Sequence, residues 1–367
     1  MSEAAPRGVG DVRRDPFCLD GFDVKILKDR PRVIVTNEPF PPIAEEISVR
    51  CIAPPPRSSL RRICARVPLA NSLLDWGVAL IVAARLAMEM RRPGTVGLIS
   101  LGKRSGSLFC FLNSFAWLRG GPVLAYRVHM PANSGRLVTH LIGRALRSVS
   151  LIAVWSRAQI ENYHRAFGCP RDKFVFMPYK ANHSKLAPVP TPVGDYLFSG
   201  GNSERDYKTL FAAVQGLSVP VIVSTTKPAA TRGLVVPENV TLVSVVEPAY
   251  GRLMAGARMV ALCMKEDIIR GSGEATLLNA MWHGKPVVIA DNVSAPDYVE
   301  DGVDGFVVPA GRAEQARRRI LELWNDPALA VRMGEAGRRK AASLYTHHQW
   351  KARMQALAIL VYGGEEK

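Results

Sequence analysis

One pattern constrains this chain more than any other: short apolar runs alternate with segments whose apolar residues return every three or four positions. The runs fall at Val33-Ile34-Val35 and at residues 48–53, 95–101, 123–128, 151–154, 174–178, 196–199, 219–224, 240–245, 259–263, 287–290 and 306–308. Helical spacing covers residues 71–90, 107–118, 132–149, 157–167, 274–282, 313–324, 328–344 and 349–361. A strand that is apolar throughout must be covered on both faces, and parallel strands need a crossover helix to reconnect them. The alternation therefore predicts an α/β fold of doubly wound parallel sheets. A length of 367 residues leaves room for two such domains. Ligands of these sheets bind beyond the carboxyl ends of the strands, so functional residues are sought there.

Three strand ends carry reactive or charged groups. The first is His129-Met130-Pro131, where the imidazole either faces a ligand or is a hydrogen-bonded core residue. The second is Ser199-Gly200-Gly201-Asn202-Ser203-Glu204-Arg205. Its glycine turn offers backbone N–H groups to an anion. Arg205 either grips a phosphate in bidentate fashion or pairs with Glu204 or Asp206. The third end delivers Lys265, Glu266, Asp267 and Arg270, followed at once by Gly271-Ser272-Gly273 and a helix beginning at Glu274. A glycine loop opening a helix presents free N–H groups and the positive dipole end to one spot, which suits a diphosphate. Lys265 and Arg270 are either partners for a diphosphate or ordinary loop cations.

The stretch 271–309 reads GSGEATLLNAMWHGKPVVIADNVSAPDYVEDGVDGFVVP. It resembles the nucleotide-sugar-binding segment of the retaining, GT-B-type glycosyltransferases of family 4, the group 1 transferases. That family has a Glu, seven residues, a second Glu, then Ala-Met and Gly-Lys-Pro-Val, and further on an Asp-Gly turn before an apolar strand ending in Pro. Asn279-Ala280-Met281, Gly284-Lys285-Pro286-Val287 and Glu300-Asp301-Gly302-Val303-Asp304-Gly305 stand at those places. By the same spacing the family's first Glu falls on Gly271 and its second on Asn279, with Glu274 three residues along. Its phosphate-binding Arg falls on Gly201 and its Lys on Arg205.

The resemblance implies two Rossmann-like parallel-sheet domains facing across a cleft: residues 1–186, completed by 349–367, and residues 187–348. It also implies transfer of a sugar from a nucleotide-diphosphate sugar to a glycan or lipid-linked acceptor with retention, independent of metal and of any cofactor beyond the donor. The catalytic candidates are His129, Arg205 and Lys265. The donor-binding candidates are Gly200, Gly201, Arg205, Arg270, Gly271, Ser272, Gly273, Glu274 and Asn279. Gly271 and Asn279 in place of glutamates keep a second class open, a catalytically degenerate protein of this fold that serves as a binding partner or scaffold.

Charge adds a third consideration. The net charge is +16, and residues 1–180 hold 27 Lys and Arg against 13 Asp and Glu, so the first half is the basic one. A basic half implies an anionic partner. Arg57, Arg61, Arg62 and Arg66, interleaved with Leu60, Ile63 and Val67, read either as a patch for an anionic membrane surface or as a helix packed on the sheet with its arginines in solvent. Nucleic acid is the least supported partner, because no aromatic-interleaved motif or zinc finger accompanies the charge. Six dispersed cysteines without a CxxC pair fit reduced thiols rather than a disulfide framework or zinc site. With no apolar leader and with Asp75, Arg85 and Glu89 interrupting the apolar residues 70–90, the expectation is a cytoplasmic protein, peripheral at most on the inner face of the plasma membrane. Residues 181–192, with Pro188, Pro190 and Pro192, read as the interdomain linker.

Overall fold

The computed structural model describes residues 32–36, 47–52, 68–101, 104–115, 121–126, 128, 130, 135–185 and 194–362. They divide into two compact units. One holds the residues up to Trp155, Ile160–Met177 and the stretch from Lys351, and the other Ser156–Gln159 and Pro178–Trp350.

The first unit is a parallel sheet. Its elements are β1 (Arg32–Thr36), β2 (Ile47–Cys51), α1 (Pro68–Glu89), β3 (Thr95–Leu101), α2 (Arg104–Asn113), β4 (Val123–Tyr126), α3 (Arg136–Arg147), β5 (Leu151–Val154), α4 (Arg157–Phe167) and β6 (Phe174–Phe176). The strands lie in the order β2-β1-β3-β4-β5-β6, every neighbouring pair parallel. β4, β5 and β6 are buried along their whole length, as continuous apolar strands under two helical layers must be. The helix read at 107–118 lies earlier, and the strand read at 123–128 ends at Tyr126. On α1, Trp76, Leu80, Ile81 and Met88 are exposed, and on α3 so are Leu137, Val138 and Leu141. Among the described residues no helix is long and apolar enough to cross a membrane.

The second unit repeats the plan with β7 (Leu197–Gly200), α5 (Tyr207–Val214), β8 (Val221–Ser224), β9 (Val240–Val243), α6 (Ala249–Gly256), β10 (Met259–Leu262), α7 (Glu274–Trp282), β11 (Val287–Asp291), α8 (Ala295–Tyr298), β12 (Phe306–Pro309), α9 (Ala313–Asn325) and α10 (Pro327–Leu344). The strand order is β12-β11-β10-β7-β8-β9, again all parallel. Leu197, Val221, Val223 and Met259 from the sheet meet Tyr207, Phe211, Ile320 and Leu323 from the helices in one core cluster. From β7 the chain winds outward to β9, then returns at β10 and winds the other way. The gap between β7 and β10 is thus the switch point, where a doubly wound sheet leaves a crevice at its carboxyl edge. α6 has no counterpart in the sequence reading, because its one short run, AYGRLMAG, holds two glycines and lacks a full apolar stripe.

The final helix, α11 (His347–Tyr362), begins with the second unit and continues in the first from Lys351. There the Tyr362 hydroxyl donates to the Leu98 carbonyl (2.7 Å) and accepts the Leu124 amide (3.2 Å), joining main-chain groups of β3 and β4.

Part of the expected linker is packed structure. Asn182–Lys185 is a 3-10 turn, Ala181 is fully buried, and the Ala181 N–H donates to the Tyr345 carbonyl at 2.8 Å. These residues belong to the second unit, where Ala181 and His183 are buried and their backbone groups are bonded. Residues 186–192, the lead-in 1–22, the loop 38–44, the patch of Arg57, Arg61, Arg62 and Arg66, and His129 lie outside the described residues.

Candidate functional site

The loops after β7 and β10 are tied together at the switch point of the second unit. The Asp206 amide donates to the Cys263 carbonyl (2.9 Å) and the Lys265 amide to the Glu204 carbonyl (3.0 Å), with an isolated bridge between Arg205 and Met264. This clasp draws Arg205 inward, leaving it only 7% exposed. Its Nε donates to the Gly200 carbonyl (2.8 Å) and Nη1 to the Ser203 carbonyl (2.9 Å) and Met264 Sδ (3.3 Å). Its Nη2 donates to Thr276 Oγ1 (3.1 Å). Four of the five N–H donors of a guanidinium are therefore engaged within the unit. Arg205 is a charged strut under the crevice, not an exposed hand.

Its position answers a question raised by the sequence. Gly201 has φ +120°, and a Cβ there would meet Arg205 Nη2 at 2.6 Å. The guanidinium of Arg205 fills the space that a side chain at 201 would enter. Gly271 repeats the arrangement with the opposite charge. A Cβ on Gly271 would overlap Glu274 Oε1 and come within 3.1 Å of Ser294 Oγ. Glu274 is 3% exposed, and its Oε1 accepts a hydrogen bond from Ser294 Oγ. Burial raises its pKa above the usual carboxylate value, opposed by the Ser294 bond and by the charges of Arg205 and Arg270. The Gly271 N–H donates to Oε1 of Gln159, which belongs to the same unit (3.3 Å).

α7 opens with Gly273 at φ +101° and has no side-chain cap. Its first helical bond runs from the Leu277 amide to the Gly273 carbonyl, so the amides of Ala275 and Thr276 find no acceptor inside the helix. Both residues line a cavity of about 300 Å³ whose wall includes Gly201, Ser224, Thr225, Glu247, Tyr250 and Asn279. The hydroxyl of Ser224, a buried residue in this wall, has no hydrogen-bond partner among the described residues. A buried polar atom rarely stays unpaired, so this hydroxyl is open to a water or a polar ligand in the cavity.

Not every candidate reaches this cavity. Lys265 is exposed and lines a separate groove of about 510 Å³ with Asp206, Lys208, Glu266 and Gly311. Arg270 is paired with Glu204 at 2.5 Å, and Ser272 Oγ donates to the Ser203 carbonyl at 3.1 Å. Gly200 contributes its carbonyl to Arg205. Asn279 does line the cavity, but its Oδ1 accepts the His183 amide at 3.1 Å. His129 is outside the described residues.

The sequence reading did not single out His183, Glu247, Tyr250 or Ser224. Ser224 ends β8 and Glu247 follows β9, so the carboxyl-edge rule, applied to those strands, would have found them. His183 lies in the proline-rich stretch and carries no local signal. It nevertheless links Glu247 Oε1 at its Nε2 (3.0 Å) to His283 Nε2 at its Nδ1 (2.8 Å). The directions close when neutral His283 donates to His183, which in turn donates to Glu247. Burial, chiefly, pulls the His283 pKa down to about 4, helped by His183, Lys285 and Arg338 and opposed by Glu247. An unfolded histidine titrates near ~6.5. Between these values the unfolded chain binds the extra proton, so this group's contribution is complete above about pH 6.5 and is lost as pH falls toward 4. The melting temperature of the wild type is expected to drop more between pH 7 and 4.5 than that of His283→Gln. Parallel curves would show that His283 is not held neutral.

Comparison with solved structures places this architecture. Sucrose-phosphate synthase from Thermosynechococcus elongatus superposes with a TM-score of 0.65 at 15% identity, over 89% of this chain and 87% of that one. The N-terminal domain of Candida albicans trehalose-6-phosphate phosphatase gives 0.64 at 11%, over 92% and 98%. HepE of Anabaena, solved with UDP and glucose, gives 0.62 at 14%, over 89% and 98%. The fold is GT-B. Residues 250–340 match the family model for glycosyl transferases group 1. That segment carries α7, Gly271 and Glu274 but neither Arg205 nor His183. No curated protein matches the sequence.

Proposed function

We propose that the protein is a group 1 type glycosyltransferase of the retaining family 4 kind. It would transfer a sugar from a nucleotide-diphosphate sugar to a glycan or lipid-linked acceptor in surface polysaccharide or glycoconjugate synthesis. One observation supports the reading: Gly201 and Gly271, the positions where the family carries charged side chains, lie directly against the guanidinium of Arg205 and the carboxylate of Glu274, beside a cavity that holds the open amides of α7. In this reading the helix terminus and the Arg205 charge stabilise the departing diphosphate without a metal, and the buried Glu274 carboxylate acts on the reacting sugar from behind the cavity wall. Catalysis would otherwise rest on positioning the donor.

UDP sugars lead the choice of donor, since HepE was solved with UDP and with UDP-glucose. Thermal stabilisation of the purified protein by UDP, GDP, ADP and TDP tests the reading. Stabilisation by one of them is expected, followed by radiolabel transfer from its sugar to membrane extract. No shift with any would leave the scaffold alternative ahead.

The acceptor side is read from charge and exposure. The first half of the chain carries most of the net charge, and Trp76, Leu80, Ile81 and Met88 stand exposed on one helix. Apolar residues within a basic unit suit a peripheral seat on an anionic bilayer that presents a lipid-linked acceptor. Absence of flotation with phosphatidylserine vesicles at low salt would remove this part of the proposal.

A further inference from the structure

The second family glutamate falls on Asn279, a neutral amide whose Oδ1 already accepts the His183 N–H. Glu247 is the one carboxylate among the residues lining the cavity. Its side chain is 55% exposed although both oxygens are held: Oε1 accepts from His183 Nε2 (3.0 Å) and Oε2 from the Gly251 amide (3.1 Å). We propose that Glu247 is the ribose-binding residue of this chain, its carboxylate accepting the 2′- and 3′-hydroxyls of the donor nucleoside diphosphate. The inference rests on the nucleotide-sugar reading above and adds the residue that anchors the sugar of the nucleotide.

Three arguments lead there. A carboxylate has about four lone-pair sites. The protein occupies two, and the pair that remains matches a vicinal diol, which donates two O–H bonds. Charge decides what Glu247 does not bind: a fixed carboxylate repels phosphates, so it belongs beside the neutral part of the nucleotide. Register along α7 gives the third argument. The open Thr276 amide is in the first turn, and Asn279 follows three residues later, about 4.5 Å along the axis. His183 bonds Asn279 through its backbone N–H and Glu247 through its ring, which ties the carboxylate to the part of the cavity wall beyond the first turn of α7. His283, behind His183, fixes the ring that fixes the carboxylate.

The test is calorimetric titration of the wild type and of Glu247→Gln with UDP, 2′-deoxy-UDP and 3′-deoxy-UDP, and with the guanosine series. For the wild type, loss of either hydroxyl is expected to weaken binding about 10- to 100-fold, the range for a hydrogen bond to a charged group. Glu247→Gln should bind the ribonucleotide more weakly and treat it and the 2′-deoxy form nearly alike. Equal wild-type affinity for ribo and deoxy forms would overturn the inference while leaving the nucleotide-sugar reading in place. So would a full ribo preference retained in Glu247→Gln, or a variant whose altered selectivity is for the base. Failure of the wild type to bind any nucleotide would remove both.

Discussion

Replacing Arg205 by methionine is expected to destabilise the second unit by about 3 kcal/mol and to abolish nucleotide binding. Methionine roughly matches the length of the side chain but donates nothing. The Gly200 carbonyl then loses its Arg205 partner under the crevice, at about 1–3 kcal/mol for a group left buried and unsatisfied, while the Ser203 carbonyl and the Thr276 hydroxyl each lose one bond and keep those from Ser272 Oγ and the Tyr250 hydroxyl. The clasp between the two loops rests on these bonds, and the same loops shape the cavity wall at Gly201 and Thr276. Arg205→Lys should fall between wild type and Arg205→Met, since an ammonium keeps the charge but not the planar fork. Urea unfolding with a parallel nucleotide titration measures both effects. An Arg205→Met protein of unchanged midpoint and affinity would mean that the buried guanidinium neither braces the loops nor bears on the ligand.

Glu274→Gln is expected to separate catalysis from folding. The amide keeps the volume over Gly271 and its oxygen still accepts from Ser294 Oγ. The protein should unfold at the wild-type midpoint or slightly above it, because a buried carboxylate pays a desolvation penalty that a neutral amide avoids. Sugar transfer should fall roughly 10²- to 10³-fold in kcat, the range found when one oriented electrostatic group is removed from a site, with nucleotide affinity preserved. Steady-state transfer assays beside calorimetry read the split. A variant with wild-type kcat would place the reacting sugar away from Glu274.

Much of the fold was legible because it is written in local periodicity. The runs at 151–154, 287–290 and 306–308 are apolar at every position, and only strands under two helical layers tolerate that, so parallel sheets followed. The site was harder to read for a geometric reason. Spacing along a sequence counts Cα positions, whereas chemistry happens at side-chain tips several ångströms away. Gly201 and Gly271 therefore read as missing charges. In space each glycine clears room for a tip that arrives from a residue three or four positions later. Glu247 and His183 were invisible for another reason: they are 64 residues apart and meet only after the sheet has formed. Lys265 looked equivalent to Arg205 in the sequence, but the clasp turns one side chain inward and leaves the other on an outer groove.

Tyr362 carries a consequence for how the protein is made. Its hydroxyl bridges strands β3 and β4, whose bonded residues precede it by 264 and 238 positions. A ribosome moves from one end of a message to the other, so the whole of the second unit has been synthesised before α11 can reach those strands. The nascent first unit must wait with that bridge unmade, its Leu124 amide and Leu98 carbonyl lacking this partner, while the later-synthesised unit already has all its strands. At this bridge the order of synthesis and the order of completion are thus reversed.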